Sequence, residues 1–297
     1  MIPSYGFSHH LERCLESALR QDFDSFEVIL VDDNEFGTDE HIKTKALVDS
    51  AKRTWRNLVY VAHEQNLNGA AARNSGVKAA RGEYIAFLDN DDVFTIDRIR
   101  KCYDFIKASK GNLVGVFTWV ELRRDNAFLG LMKTNVGDDP LKFLLACKFP
   151  VGTGSNLFIH NEIYDLVGGF DISFLRHQDY EFLVRCFKIG SRFGVIDEAL
   201  VIKNDEKYNF PNCEIMHEQK AKFLEKHKDI LAGMNEPDRR FVWASNYFSL
   251  LEQSIRNRDY SKTLYFFRMT NSYGLIGIWK MLRLVLLLFR SFLIKLK

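Results

Sequence analysis

Apolar positions along this chain alternate between two rhythms. Leu11, Cys14, Leu15, Ala18 and Leu19 recur at helical spacing, which predicts a helix over Ser8 to Gln21. FEVILV, residues 26–31, is a short β-branched run that stops at Asp32 and predicts a buried strand. The alternation continues with a helix over Glu40 to Trp55, a strand over Leu58 to Val61, an Ala-rich helix over Gly69 to Ala80 and a strand over Glu83 to Leu88 that stops at Asp89. A helix follows over Thr95 to Lys107, with Ile96, Ile99, Tyr103 and Ile106 on one side. Such alternation predicts parallel strands joined by helical crossovers, hence an α/β fold.

The pattern then loosens. Strands are expected at Leu113–Leu122, Asn156–His160 and Arg192–Lys203, and helices at Leu141–Cys147 and Gln178–Ile189, with a tight turn at Gly168-Gly169. From about Asn204 the composition becomes polar and helical, with Glu218–Leu231 the clearest helix. The expected division is therefore 1–204, a helical region 205–274, and a distinct tail 275–297.

Composition adds limits. With 297 residues, 46% hydrophobic and 27% charged, the chain can bury one large core and an appendage. Cys14, Cys102, Cys147, Cys186 and Cys213 are odd in number, widely spaced and contain no CxxC, so a disulfide framework and a zinc site are not expected and a reducing compartment is. The first ten residues do not read as a signal peptide. The formal charge of +2 is uneven: Leu275 to Lys297 holds Lys280, Arg283, Arg290, Lys295, Lys297 and no acid, which leaves 36 basic against 39 acidic residues in the body. An acidic body is not a nucleic-acid surface, and the tail calls for a local anionic partner. On a helical wheel Lys280, Arg283, Arg290 and Lys297 fall within an arc of about 100° among Leu, Ile, Val, Phe and Trp279, and Lys295 falls outside it. The uncharged run from Leu284 to Phe289 is too short to span a bilayer, so the tail reads as an interfacial helix; a helix packed on the protein itself is the plainer alternative.

Two strands end directly in acids, and in open α/β sheets ligands gather beyond the carboxyl ends of strands. Asp89-Asn90-Asp91-Asp92 crowds three carboxylates into one turn; a hard cation with oxygen ligands, Mg²⁺ or Mn²⁺, would relieve their repulsion, and an Asp-rich helix cap is the competing reading. Asp32-Asp33 suits hydrogen bonding to a base or ribose, or a turn. In GAAARNS, residues 69–75, small side chains let backbone approach a ligand and Arg73 can fork onto phosphate, or the segment is simply a packed helix. Asp179 in LRHQDYEF stands where a helix begins, as a general base or as a partner of the helix dipole. His177 and His217 are weaker candidates, for an acceptor contact and a metal ligand respectively.

Taken in order, these stretches resemble the family 2 glycosyltransferases. IPSY at the start, LERCLESALRQ, FEVILVDDN, NLNGAAARNSGVKAARGEYIAFLDNDD, GSNLFIHNEIYDLVGGFD and QDYEF are similar to the successive conserved blocks of that family, over about residues 2 to 190. The resemblance implies a GT-A fold, a Rossmann-like, mainly parallel mixed sheet flanked by helices, here with a C-terminal helical appendage. It implies an inverting transferase that moves a sugar from a nucleotide-diphosphate sugar, UDP by default, to a hydroxyl of a glycan or lipid-linked acceptor in surface polysaccharide or lipopolysaccharide synthesis. Carried over by position, Asp33 would bind the nucleotide base, with Pro3 and Tyr5 lining its pocket and Asp32 and Asn90 nearby. Arg73 would face the diphosphate, Asp89 and Asp91 would hold Mn²⁺ or Mg²⁺, and Asp179 would be the base. The tail would place the enzyme peripherally at the cytoplasmic, inner face of the cell membrane, with no nucleic-acid partner.

Three departures stand out. The family carries several more residues ahead of the Ile-Pro pair, so the natural start lies upstream or the first strand is short. Gln178 replaces the usual Glu and removes a negative charge beside Asp179, and Asn34-Glu35 replaces Gly-Ser. The rival readings are an aspartyl-phosphate phosphatase with Asp89 as nucleophile and Asp91 as acid, and a non-catalytic membrane-bound relative. A Rossmann dehydrogenase is disfavoured, because no GxGxxG follows a strand.

Overall fold

The structure, a computed structural model, describes residues 1–7, 9–124, 126–204 and 212–274. The tail 275–297, on which the interfacial helix was expected, lies outside the described residues. The chain divides into two compact units, Met1–Asp138 with Pro150–Lys207, and Asp139–Phe149 with Tyr208–Lys297. The second unit thus takes in a short segment that the sequence reading placed with the first.

In the first unit β1 (Ile2–Ser4) leads to α1 (His10–Leu19), β2 (Val28–Asp32), α2 (Asp39–Lys52), β3 (Leu58–Ala62), α3 (Gly69–Ala79), β4 (Tyr84–Ala86), β5 (Val93–Phe94) and α4 (Arg98–Ala108). β1, β2 and β3 pair in parallel, Ile2 opposite Leu30 and Val28 opposite Leu58. β2 is buried along its whole length, which is why its sequence shows no polar alternation. The amide of Leu88 donates to the carbonyl of Met1 (3.0 Å) and the Met1 amino group donates to that of Ala86 (2.7 Å). That is one step of parallel pairing between the β1 strand and β4, and it brings the carboxyl ends of β1, β2 and β4 to a common edge.

A second, mixed sheet follows. β6 (Gly115–Arg124) forms a hairpin with β7 (Ala127–Met132) and runs parallel to the final strand, β9 (Phe193–Asn204); β8 (Phe158–His160) pairs antiparallel with both β4 and β6. β5 closes the far side against β9, antiparallel. Short α6 (Asn161–Leu166) and α7 (Gln178–Lys188) complete the unit, with α5 (Pro140–Leu145) belonging to the other. The expectation of parallel strands with helical crossovers holds for β1 to β3. Beyond β4 most pairings are antiparallel, and neither the β7 arm nor β5 was foreseen. The main core joins Leu11, Leu15 and Leu19 of α1 to Ile2, Leu30, Val48, Leu88 and Val120, which are the residues that set the helical and strand rhythms.

In the second unit, α5 is joined by α8 (Cys213–Lys226), α9 (Lys228–Gly233), α10 (Glu236–Arg256) and α11 (Tyr260–Tyr273). The helix expected over Glu218–Leu231 is two helices meeting at His227. α10 and α11 share an apolar seam of Phe248, Leu251, Ile255 and Phe266. Buried Asn246 ties the unit together, accepting from Lys220 Nζ (3.0 Å) and donating to the carbonyl of Leu145 (2.8 Å).

Candidate functional site

The common edge of β1, β2 and β4 gathers most of the residues singled out in the sequence. Asp32 and Asp33, at the end of β2, face different surroundings. Asp32 is fully buried; Oδ1 accepts from the amide and side chain of Asn34 (3.1 and 2.7 Å), and Oδ2 from Tyr60 Oη (2.7 Å) and His41 Nδ1 (3.1 Å). Burial and this bond to Asp32 both push the Tyr60 hydroxyl well above its ordinary range, which keeps it a donor. Both oxygens of Asp32 are thus committed to holding the corner between β2, β3 and α2.

Asp33 is only half committed. Its Oδ1 accepts from the amide of Leu67 (2.9 Å) and from His63 Nδ1 (2.6 Å), while its buried Oδ2 has no partner in the protein. A carboxylate oxygen accepts, so His63 Nδ1 carries the hydrogen of that bond, and Nε2 lies 2.8 Å from Ser75 Oγ. Pro3 lies half-buried on β1, and Tyr5 just beyond it is 67% exposed. Asn34, which stands where the family has Gly, accepts from the amide of Gly6 (2.7 Å) and so ties the end of β1 to that of β2.

At the end of β4, Asp89 meets Arg73. Asn68 caps α3 by accepting from the amides of Ala70 and Ala71, and Arg73 projects from the first turns of that helix. Its Nη2 donates to Asp89 Oδ1 (2.6 Å) and its Nη1 to Gln178 Oε1 (2.9 Å). Gly69 makes room for this pair: a Cβ there would lie 3.1 Å from Nη1 and 3.4 Å from Oε1. Burial works against the charge of Arg73, and the carboxylates of Asp89 and Asp179 more than offset it. Burial likewise opposes ionisation of Asp89, but Arg73 and Lys203 outweigh it and hold its carboxyl below the usual range.

Asp179, in the first turn of α7, completes the cluster. Its carboxyl is pushed up by desolvation, opposed by Arg73, raised further by the charge of Asp89 and opposed again by Lys203. Two contacts put it there. Asn74, next to Arg73, donates to the carbonyl of Phe170 (2.8 Å) and accepts from its amide (2.8 Å), fixing the Gly168-Gly169 turn that leads into α7. Gly169 has φ +69° and sits where a Cβ would come within 2.9 Å of Asn74 Oδ1, so no other residue fits. On the opposite side Gly154 backs onto Asp179, whose carboxylate oxygens lie 3.1 and 3.2 Å from where a Cβ would be.

Asp91 and Asn90 lie half-exposed on the turn after Asp89, and the carbonyl of Asp91 accepts from the Asn204 side chain. Asp92 turns inward and is fully buried; its Oδ2 accepts from Thr153 Oγ1 (2.7 Å) and Ser155 Oγ (2.6 Å). Desolvation first, then the charges of Asp89 and Asp91, raise its carboxyl to about 7, against the pull of Lys203. Beneath, Cys14 donates its thiol hydrogen to the carbonyl of Asp89 (3.4 Å), and burial with the neighbouring acids keeps it a thiol.

The loop 151–156 is the part of the site that sequence reasoning missed. Thr153 is shared between Asp89 and Asp92, and Ser155 Oγ accepts from the amide of Asp89 (2.9 Å). Below it lies a buried polar network. Asn156 donates to the carbonyls of Thr118 (2.8 Å) and Val151 (2.9 Å), and Arg98, fully buried, donates to Thr118 Oγ1 and to the carbonyl of Ser155 (both 2.9 Å). No carboxylate among the described residues pairs with Arg98, and desolvation lowers its proton affinity. Lys203 was missed as well; it acts on Asp89, Asp92 and Asp179 from the end of β9. The signals for the loop were its run of small polar residues ahead of a strand and the start at Gly154 of a block that resembles the family. His217 packs among Tyr247, Tyr265 and Phe266 in the helical unit.

Among the described residues no group of three or more His, Cys, Asp or Glu side chains is placed to hold a metal ion. The oxygen donors Asp89 and Asp91 fit a hard cation only in the mode in which substrate phosphates and water supply the remaining ligands.

Comparison with known proteins gives one answer. The family model described as glycosyl transferase family 2 matches residues 1–168. The amylovoran biosynthesis glycosyltransferase AmsB of Erwinia amylovora is 29% identical over 206 residues, 67% of each chain, and the glycosyltransferase MJ1057 of Methanocaldococcus jannaschii is 26% identical over 207 residues, 68% of this chain and 67% of its own. Among solved structures, S. aureus TarS 1-349 in complex with UDP superposes with a TM-score of 0.58 at 17% identity, covering 92% of this chain and 90% of that one. The mannosyltransferase PcManGT of Pyrobaculum calidifontis, in complex with GDP-Man and Mn²⁺, superposes with a TM-score of 0.56 at 17% identity, covering 100% of this chain and 79% of that one. The phosphatase and the non-catalytic relative find no support among these matches. A GT-A sheet whose acidic strand ends meet at one edge, and a family match over more than half its length, identify the chain as a member of glycosyl transferase family 2 that carries out nucleotide-sugar-dependent glycosyl transfer.

Proposed function

We propose that this enzyme moves a sugar, with inversion, from a UDP-sugar to a hydroxyl of a glycan or lipid-linked acceptor in surface polysaccharide synthesis. One arrangement carries the reading: Arg73 reaches Asp89 with one arm and Gln178 with the other, and its charge acts on Asp179 as well. Diphosphate binding and base thus share one point. The names of two relatives support the acceptor class, AmsB in amylovoran biosynthesis and a poly(ribitol-phosphate) β-glucosyltransferase of Bacillus spizizenii, 30% identical over 116 residues.

Each residue then has a task. Asp33 offers Oδ2, the oxygen that no protein group occupies, to a base N–H, with Pro3 and Tyr5 beside it. Asp32, with both oxygens engaged, supports that corner without touching the nucleotide. Arg73 faces the diphosphate, and Asn90 flanks it. Asp91, with Asp89, would hold Mn²⁺ or Mg²⁺, which when bound supplies Lewis-acid neutralisation of the departing diphosphate. Asp179 takes the proton of the acceptor hydroxyl as its oxygen bonds to the anomeric carbon. The bond from that carbon to the phosphate oxygen breaks on the opposite face, and its electron pair leaves with the diphosphate. The upward displacement of the Asp179 carboxyl by burial suits a base, since it strengthens proton uptake.

The test is a thermal-shift series with UDP-, GDP- and dTDP-sugars, with and without Mn²⁺. A ligand that binds only the folded state raises the melting temperature. A UDP-sugar should give the largest rise, part of it should require the metal, and Asp91→Asn should abolish that part. A metal-independent rise of equal size in Asp91→Asn would refute the assignment.

We further propose that the enzyme sits peripherally at the cytoplasmic face of the cell membrane. The acid-free, basic and apolar sequence of residues 275–297 supports this.

A further inference from the structure

The membrane reading drew on the tail alone, but the acid-free stretch begins earlier. All 39 acidic residues lie at or before Asp259, and from Tyr260 to Lys297 there are only Lys and Arg, at positions 262, 268, 280, 283, 290, 295 and 297. The first part of this stretch is α11, which the structure describes. Its outward side carries Tyr260 (64% exposed), Leu264 (52%) and Tyr265 (46%), together with exposed Ser261, Arg268 and Ser272. Tyr260, Leu264 and Arg268 follow one another at four-residue steps, so they form a single stripe, with Tyr265 beside it. Arg268 has no acidic partner among the described residues. Lys262, which pairs with Asp259 (3.6 Å) and Glu214 (3.7 Å), lies off the stripe.

The end of this helix is fixed. Tyr273 lies nearly parallel to Trp243 and Tyr247 of α10, at ring-centroid distances of 5.7 Å to each, and its carbonyl accepts from Arg240 Nε (3.1 Å). The last turn of α11 is therefore anchored on α10.

We infer that α11 is itself part of the membrane-contacting surface, its Tyr260–Leu264–Tyr265 face lying against an anionic bilayer with Arg268 toward the headgroups. The inference rests on the membrane reading above and extends it to a described element. The chemistry fits one occupant: tyrosines place an apolar ring and a polar tip at the water–lipid boundary, and unpaired basic groups without acids are drawn to anionic lipid.

The full chain should be sedimented with phosphatidylcholine vesicles with and without phosphatidylglycerol, beside a Tyr260→Ser/Leu264→Ser/Tyr265→Ser variant and an Ile96→Ser control, which removes an equally exposed side chain from the other unit. Wild type and control should bind the anionic vesicles. The triple variant, with an unchanged melting temperature, should partition at least about tenfold more weakly. Equal binding by the triple variant would overturn the role of α11 and leave the tail as sole anchor. Failure of the wild type to bind anionic vesicles would overturn both readings. Loss of self-association in the triple variant, with vesicle binding intact, would make the face a contact between copies and overturn the inference as well.

Discussion

The ends of β2 and β4 carry similar sequence, an apolar strand running into acids, yet they are finished differently. At β2 the charge of Asp32 is met from within by Asn34, His41 and Tyr60, and only the second acid keeps an uncommitted oxygen. At β4 the carboxylates of Asp89, Asp91 and Asp92 are answered by Arg73, two hydroxyls and the charge of Lys203, and Asp92 is driven to about 7 by its neighbours and its burial. The first corner is built to hold its shape. The second has an excess of negative charge that a cation would balance. Counting acids does not separate the two; the donors facing each acid do.

The largest expected effect lies beside the β4 corner. Asp179→Asn should lower transfer by roughly 10² to 10⁴-fold while leaving the donor-induced rise in melting temperature in place. A fall in donor binding of the same size would mean that Asp179 serves the donor instead. Next come the two acids of the β2 corner. Asp32→Asn removes an acceptor from buried donors and should cost about 2–3 kcal/mol in urea unfolding with little change in donor affinity. Asp33→Asn should weaken donor binding about tenfold, with a smaller loss of stability. Reversal of that order would collapse the distinction between the two residues. The smallest effect belongs to Lys203→Met. The base must be unprotonated, so kcat/KM falls as pH drops through its pKa. Removing a positive charge that lowers this pKa should move the acid limb to higher pH.

Much of the first unit could be read from the sequence because the signals there are local. FEVILV announces β2 since that strand is buried on both faces, and Leu11, Cys14, Leu15, Ala18 and Leu19 announce α1 since they form its entire inner side. Asp33, Asp89 and Asp179 could be singled out because each stands where such an element ends or begins, and Arg73 because it lies in the small-residue stretch 69–75. Thr153 and Ser155 were not, because their partners lie 61 to 66 residues away, nor Gly154, whose place is set by Asp179 on another element, nor Lys203, whose charge acts across the site. The β7 arm, whose Phe128, Leu129 and Leu131 are exposed, lacks the alternation that marks a half-buried strand. The fixed role of Asp32 was hidden for the same reason: Tyr60 and His41 reach it from elements whose own pattern shows only strand and helix.

Arg98 has a consequence of its own. A guanidinium shut away from water, held by one hydroxyl and one carbonyl, makes any outward swing of residues 153–156 expensive, since the movement would strip an oxygen from a trapped cation. The floor under the reacting centre is thereby set before any substrate arrives.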